Sequence, residues 1–206
     1  MSDETDQLRR SWTANADAWC DAVRNQRIES RRLVTDAAIV DAVLAQHPHR
    51  VLDLGCGEGW LARVLSAHGI DVTGVDASAP LIDAARASGG GTFHVLAYED
   101  LSSLGDFDLV VANFSLLDDQ TTDVLRALQT PRLIVQTVRT GGDGDEWRTE
   151  TFDAFPGHWP EAMPWFFRTR DSWLRVFEDA GFDRVETRET QFSLLFVAEK
   201  ANAARS

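Results

Sequence analysis

Two hydrophobic periods divide the chain. Over residues 1–49 apolar positions recur at helical spacing: Trp12, Ala16, Trp19 and Val23 share one face, and Leu33, Ala37, Val40 and Leu44 repeat the pattern. A polar link at 25–32, with Arg24, Arg27, Arg31 and Arg32 in or beside it, separates the two stretches. His47-Pro48-His49 ends the second, because proline disfavours helical geometry in the residue before it. From Arg50 the texture changes. Short apolar runs at Val51–Leu54, Val72–Val75, Phe93–Leu96, Leu109–Ala112 and Leu133–Gln136 alternate with helical patterns at Trp60–His68, Ala79–Ala87 and Asp119–Leu128. Such alternation predicts a parallel sheet covered on both faces.

The end of the chain breaks this rhythm. Ser172–Ala180 reads as a helix stopped by Gly181, and Val185–Glu189 and Phe192–Glu199 then read as two strands with no helix between them. They predict a C-terminal hairpin, and Ala201 to Ser206 a frayed tail. The expected fold is therefore α/β: a doubly wound, mostly parallel sheet with an antiparallel edge strand, helices on both faces and an N-terminal helical cap. The cap takes residues 1–49 and the α/β domain residues 50–200. An insertion at 139–171 is too long for an ordinary connection and carries Trp147, Phe152, Phe155, Trp159, Trp165, Phe166 and Phe167. It is expected to fold over the ligand site as an aromatic lid.

Bulk properties narrow the function. A chain of 206 residues with 44% hydrophobic and 26% charged residues fits one ordinary globular domain with a small appendage. Its net charge of −13 repels phosphate backbones, so no nucleic-acid partner is expected. Cys20 and Cys56 form no CxxC pair, the N-terminus is acidic and polar, and no apolar run reaches the roughly 18 residues of a membrane span. A cytoplasmic protein without membrane partners is expected, as a monomer or homodimer.

The strongest local signal is Asp53-Leu54-Gly55-Cys56-Gly57-Glu58-Gly59, between the first apolar run and a helix. Glycines let the backbone turn sharply and approach a ligand closely, and the amides opening the next helix suit an anionic group. A dinucleotide loop would need a glycine where Trp60 stands, and Asp53 would repel a pyrophosphate. The nicotinamide reading fails on both counts. Asp76, at the end of the second run, suits a bidentate acceptor for two ribose hydroxyls, with Ser78 the better helix cap.

These residues resemble the class I, Rossmann-like S-adenosylmethionine-dependent methyltransferases. Val51–Gly59 matches their acidic-x-Gly-x-Gly-x-Gly motif, Gly74-Val75-Asp76 their second motif, and Phe107–Asn113 their fourth strand. The resemblance spans roughly Arg50 to Val138. It implies S-adenosylmethionine as cofactor, with Gly55, Cys56 and Gly57 along the methionine moiety and Asp53 near its amino group. It further implies Asp76 on the ribose, Ala77 and Leu81 beside the adenine, Tyr98 or Glu99 at the adenine amino group, and Asn113 and Phe114 at the transferred methyl.

The acceptor is less legible. The Asn/Asp-Pro-Pro-Tyr/Phe motif of base-amine enzymes is absent, neither cysteine is placed for cytosine C5 chemistry, and no metal cluster shows ligand spacing. Asp118-Asp119 reads better as a helix N-terminal acidic pair than as a metal site. The expected acceptor is a small molecule, including carboxylate-bearing ones, methylated on oxygen or nitrogen. Trp12, Trp19, Trp159 and Trp165 are candidates to line its pocket and Arg31 to grip a carboxylate. His158, the one histidine of the lid, is the candidate general base beside Glu150 or no base at all. The alternatives are a non-catalytic cofactor-binding protein of this fold and an NAD-dependent oxidoreductase.

Overall fold

A computed structural model describes residues 3–139, 141–142 and 144–201, so the expected tail lies, beyond Ala201, outside the described residues. Strands β1 (Arg50–Leu54), β2 (Asp71–Asp76), β3 (Thr92–Val95), β4 (Leu109–Asn113) and β5 (Arg132–Val138) lie parallel. The long insertion forms a separate hairpin of β6 (Glu146–Glu150) and β7 (Met163–Phe167), paired antiparallel. After it come β8 (Arg184–Glu189) and β9 (Ser193–Glu199). The order in the main sheet is β3-β2-β1-β4-β5-β9-β8, with β9 antiparallel to both neighbours. The order reverses between β1 and β4, and a crevice opens at the carboxyl ends of strands at such a point.

Alternating side chains of the inner strands feed two cores. Leu52, Leu54, Val110 and Ala112 face α6 (Thr121–Ala127) and α7 (Arg170–Asp179), whose Leu125, Trp173 and Phe177 are buried against them. Val51, Val111 and Ile134 face the other way, toward α3 (Asp36–Leu44), α4 (Trp60–Ala67) and α5 (Ala79–Ser88). Each such Leu, Ile, Val or Phe side chain contributes about 1.5–3 kcal/mol on full burial. Burial on both faces is why these strands read as continuous apolar runs. Thr169 caps α7, accepting the Ser172 amide at 3.1 Å, and Gly181 follows its end at φ +85°.

The N-terminal stretch divides. Ile39, Ala42 and Val43 of α3 belong to the sheet's covering layer, whereas α1 (Asp3–Ala14) and α2 (Ala16–Arg24) stand elsewhere. The single helical face expected over Trp12–Val23 is broken at Asn15 (φ −90°, ψ 5°). The break has a cause. Asn15 Nδ2 donates to the Glu161 carbonyl at 2.7 Å, and the Glu161 amide donates back to Asn15 Oδ1 at 3.1 Å. Ser11 Oγ donates to the Ala162 carbonyl at 2.9 Å. These bonds clip α1 and α2 to the loop leading into β7. Leu8, Leu117, Phe152 and Met163 form a third small core there, flanked by Trp12, Phe155, Trp159 and Trp165.

Candidate active site

A cavity occupies the crevice. Including its mouth and the solvent space there, it spans ≈ 970 Å³. Its floor is the glycine loop together with the ends of β2 and β4. Gly55, Gly57 and Gly59 all have positive φ, +67°, +55° and +79°. A Cβ on Gly55 would lie 2.4 Å from that of Ser115, so the loop passes where no side chain fits. Cys56 lines the wall, and burial pushes its thiol well above the usual range.

Asp76 fixes this floor. One carboxylate oxygen accepts the Gly57 amide at 3.0 Å and the other the Ser78 amide at 2.9 Å, and each oxygen retains a lone pair. Ser78 does stand at the N-cap of α5, but its hydroxyl makes no cap bond and is buried without a partner. Burial pushes Asp76 up to about 6, opposed by those two amides. Asp53 sits behind the loop rather than on the cavity wall; burial, then repulsion from Asp76, pushes it up to about 7. Its Oδ2 has no donor. Two buried acids with one orphaned oxygen call for a cation nearby.

On the β4 side, Asn113 and Phe114 line the cavity, and Asn113 Oδ1 is another buried acceptor without a donor. Phe114 holds φ +53°, a left-handed conformation that costs a non-glycine residue about 1–3 kcal/mol. Its amide donates to Gln136 at 2.8 Å, which holds the turn in place. Tyr98 Oη donates to the Ser115 carbonyl at 3.2 Å, and burial drives the phenol far above its ordinary range.

The roof comes from the N-terminal helices. Thr5, Leu8, Arg9 and Trp12 of α1 line it, and Trp19, Arg31 and Trp60 extend it as a stacked wall. Trp12 and Trp19 meet edge to face at 5.1 Å, and the Arg31 guanidinium lies 4.5 Å from the Trp60 ring. Arg31 opens a π-helical turn, Arg31–Thr35, and donates to Asp36 at 2.9 and 3.3 Å. π-turns recur at functional sites. The donors expected to grip a ligand carboxylate are thus held by a carboxylate of the chain itself.

Glu58, fully buried inside the glycine loop, was not singled out by the sequence reading. It accepts Arg63 at 2.7 and 2.9 Å and Arg24 Nε at 3.0 Å, while Arg24 also reaches Ala84 and Ser88 on α5. The signal was present as an acid between glycines in a chain with arginines on both flanking helices. Of the residues carried over for the cofactor, Gly55, Cys56, Gly57, Asp76, Ala77, Leu81, Tyr98, Asn113 and Phe114 line the cavity. Glu99 does not. It is exposed, and a hydrogen bond from Arg9 at 2.5 Å holds its carboxyl below the usual range.

Residues 51–138 match the family model described as the methyltransferase domain. That match and the fold support a class I S-adenosylmethionine-dependent methyltransferase domain over this segment. It is 30% identical over 164 residues to the uncharacterized methyltransferase C70.08c of Schizosaccharomyces pombe, covering 70% of this chain and 63% of that one. It is 35% identical over 105 residues to ribosomal RNA small subunit methyltransferase C of Cronobacter sakazakii, across 47% of this chain. The match spans only 31% of that relative's length. Magnesium protoporphyrin IX methyltransferase from Synechocystis, solved with S-adenosylmethionine bound, superposes at TM-score 0.69 over 98% of this chain and 99% of its own. At 18% identity that likeness concerns the fold.

Within this methyltransferase fold the remaining candidates divide. Trp12, Trp19 and Arg31 line the cavity, but Trp159 and Trp165 do not. Trp159 stacks on Phe152 at 4.2 Å and Trp165 on Phe167 at 5.7 Å, both serving the hairpin's own packing. His158 is exposed and absent from the cavity wall, because Trp159 turns inward to Phe152 and leaves its neighbour outside. Among the described residues no group of three His, Cys, Asp or Glu is arranged to hold a metal ion, and no helix is long and apolar enough to cross a membrane.

Proposed function

We propose that this protein transfers a methyl group from S-adenosylmethionine to an oxygen or nitrogen atom of a small-molecule acceptor. The observation that carries the reading is one cavity at the β1–β4 crevice, with a left-handed glycine loop and Asp76 as its floor and an aromatic roof. The orphaned oxygens of Ser78 and Asn113 at this floor, with Asp53 buried behind the loop, accord with a polar, cationic cofactor. Asp76 would hold the ribose hydroxyls, Gly55 to Gly57 the methionine moiety, and Ala77, Leu81 and Tyr98 the adenine. When bound, the cofactor supplies an electrophilic methyl carried on a sulfonium.

The chain's own contribution is positioning and exclusion of water. Holding two reactants in attack geometry is worth about 7–11 kcal/mol of barrier. Asn113 and the strained turn at Phe114 would border the methyl, and α1 with Trp12 and Trp19 would close over the acceptor. His158 is given no catalytic role. A small acceptor accords with the enclosed roof and with a net charge of −13, which opposes a phosphate backbone. Two free cysteines accord with a reducing, cytoplasmic location.

Calorimetric titration with S-adenosylmethionine, S-adenosylhomocysteine and NAD tests the reading. Both adenosyl ligands are expected to bind the wild type with dissociation constants on the order of micromolar. In Asp76→Ala binding should weaken about 100-fold, since two charge-assisted bonds are lost. Binding of NAD alone, or of nothing, overturns the proposal. Cofactor binding without methylation of any phenol, amine or carboxylate in an acceptor panel would favour the non-catalytic alternative.

A further inference from the structure

Among the described residues, four charged side chains face the cavity: Arg9, Arg31, Asp76 and Asp118. Both arginines are already matched, Arg31 by Asp36 and Arg9 by Glu99. Asp76 is engaged with the loop it fixes. Asp118 is different. One of its oxygens accepts the Gln120 amide at 3.0 Å, and no cationic side chain pairs with its carboxylate among the described residues. Arg168 lies behind it but donates to the main-chain carbonyl of Asp118, at 2.8 Å.

The neutral groups at this end point the same way. Tyr98 and Ser115 already donate to the carbonyls of Ser115 and Leu54. Asn113 Oδ1 is buried and without a donor. Trp12, Leu8 and Phe114 supply apolar and aromatic walls. Beside the β4 turn the Asp118 carboxylate has an oxygen to spare and Asn113 Oδ1 is buried without a donor, two acceptors with aromatic faces near them. That set complements a positively charged donor and repels an anion.

We propose that the acceptor is a small-molecule amine, its protonated nitrogen received by Asp118 and Asn113 Oδ1 between Trp12 and Phe114. The inference rests on the methyltransferase reading of the same cavity and narrows its acceptor class to nitrogen. An ammonium must shed a proton before its nitrogen can attack. The N–H bond breaks, its electron pair remains on nitrogen as the lone pair, and the proton passes to the Asp118 carboxylate. The loop is braced for this role. The Leu117 carbonyl accepts the Phe166 amide at 2.8 Å, and buried Arg168 is itself stacked over Phe166 and Trp173. Arg168, Asp119, Arg9 and the Tyr98 phenol are the titratable groups that face Asp118, and burial outweighs the charges and raises its pKa.

The test uses the full chain loaded with S-adenosylhomocysteine and three probes of one skeleton: phenethylamine, phenethyl alcohol and phenylacetate. Calorimetry should show the amine binding at least about tenfold tighter than the other two. Asp118→Asn should level the three to within about twofold while keeping S-adenosylhomocysteine affinity, and Asp119→Asn, on the exposed neighbour, should retain the preference. A second measurement needs no variant: amine affinity should rise with pH as Asp118 ionises, while alcohol affinity stays flat. Equal or tighter binding of the acid or the alcohol overturns the proposal, as does a preference that survives in Asp118→Asn. Failure of every probe on the loaded protein also overturns it. Failure of S-adenosylhomocysteine itself to bind removes the methyltransferase reading, a distinct result that takes this inference with it.

Discussion

Beneath the cavity, the loop from Leu54 to Trp60 is anchored on every side. Its amide at Gly57 is bound by Asp76, its Glu58 carboxylate by Arg24 and Arg63, and Gly59 leaves no room for a Cβ beside Phe93. Above the cavity, α1 is held by a solvent-facing ion pair, Arg9 to Glu99, by two polar clips at Ser11 and Asn15, and by the small aromatic core of the hairpin. The floor is continuous with the main sheet, and the roof is assembled from two segments far apart in sequence. A rigid floor with a lightly fastened roof lets the cavity keep its shape while ligands enter.

Removal of the buried anchor should have the largest effect. Glu58→Ala leaves Arg24 and Arg63 without their shared partner and is expected to cost about 3 kcal/mol, or roughly 6–12 °C in melting temperature for a chain of this size. A melting temperature within a degree or two of wild type would show that the loop is held by its backbone alone.

A pH dependence of opposite sign for folding and for binding comes next. Burial raises Asp53 to about 7 and Asp76 to about 6, above the roughly 4 of an unfolded chain. The folded protein therefore holds these protons more tightly, and the resulting stabilisation is complete below about pH 4 and lost as pH rises through 6 to 7. Affinity for a cationic cofactor runs the other way, since both acids must be ionised to attract it. Between pH 8 and 5.5 the ligand-free protein should grow more stable in urea while cofactor affinity falls. Asp53→Asn should flatten most of the first trend. A cofactor affinity that climbs on acidification would contradict the assignment of these acids.

The smallest effect is expected at the roof. Asn15→Ala loses two hydrogen bonds to Glu161 and should cost about 1–2 kcal/mol, with amide exchange faster over 161–167 and little change at the glycine loop. Equal deprotection of floor and roof would erase the distinction between them.

The same contrast governs what could be read from the sequence. The strand runs at β1 to β5, the loop and Asp76 were legible because each is local: two-sided burial imposes apolar runs, and left-handed turns demand glycine at Gly55, Gly57 and Gly59. The roof was only partly legible. Trp12 and Trp19 carried a helical period and Arg31 stood in the polar link after it, but nothing along the chain announced that Asn15 would break the helix to bind Glu161, 146 residues away. The β6–β7 pairing was missed for the same reason, since its strands pack on each other, on α1 and on Leu117, all but the first distant in sequence. His158 and Trp159 show the limit at its sharpest: in an irregular loop no period tells which of two neighbours turns inward. Asp118 was read as an ordinary helix-start acid, and only its place on the cavity wall separates it from exposed Asp119.

The clip between Asn15 and Glu161 also bears on how the molecule comes into being. Asn15, where α1 gives way to α2, is made 146 residues before its partner Glu161. A nascent polypeptide can complete the glycine loop and the first five strands with its crevice still uncovered. The roof can close only once residues 161 and 162 have been made, so the binding chamber is sealed after its floor is built, by a segment made before that floor.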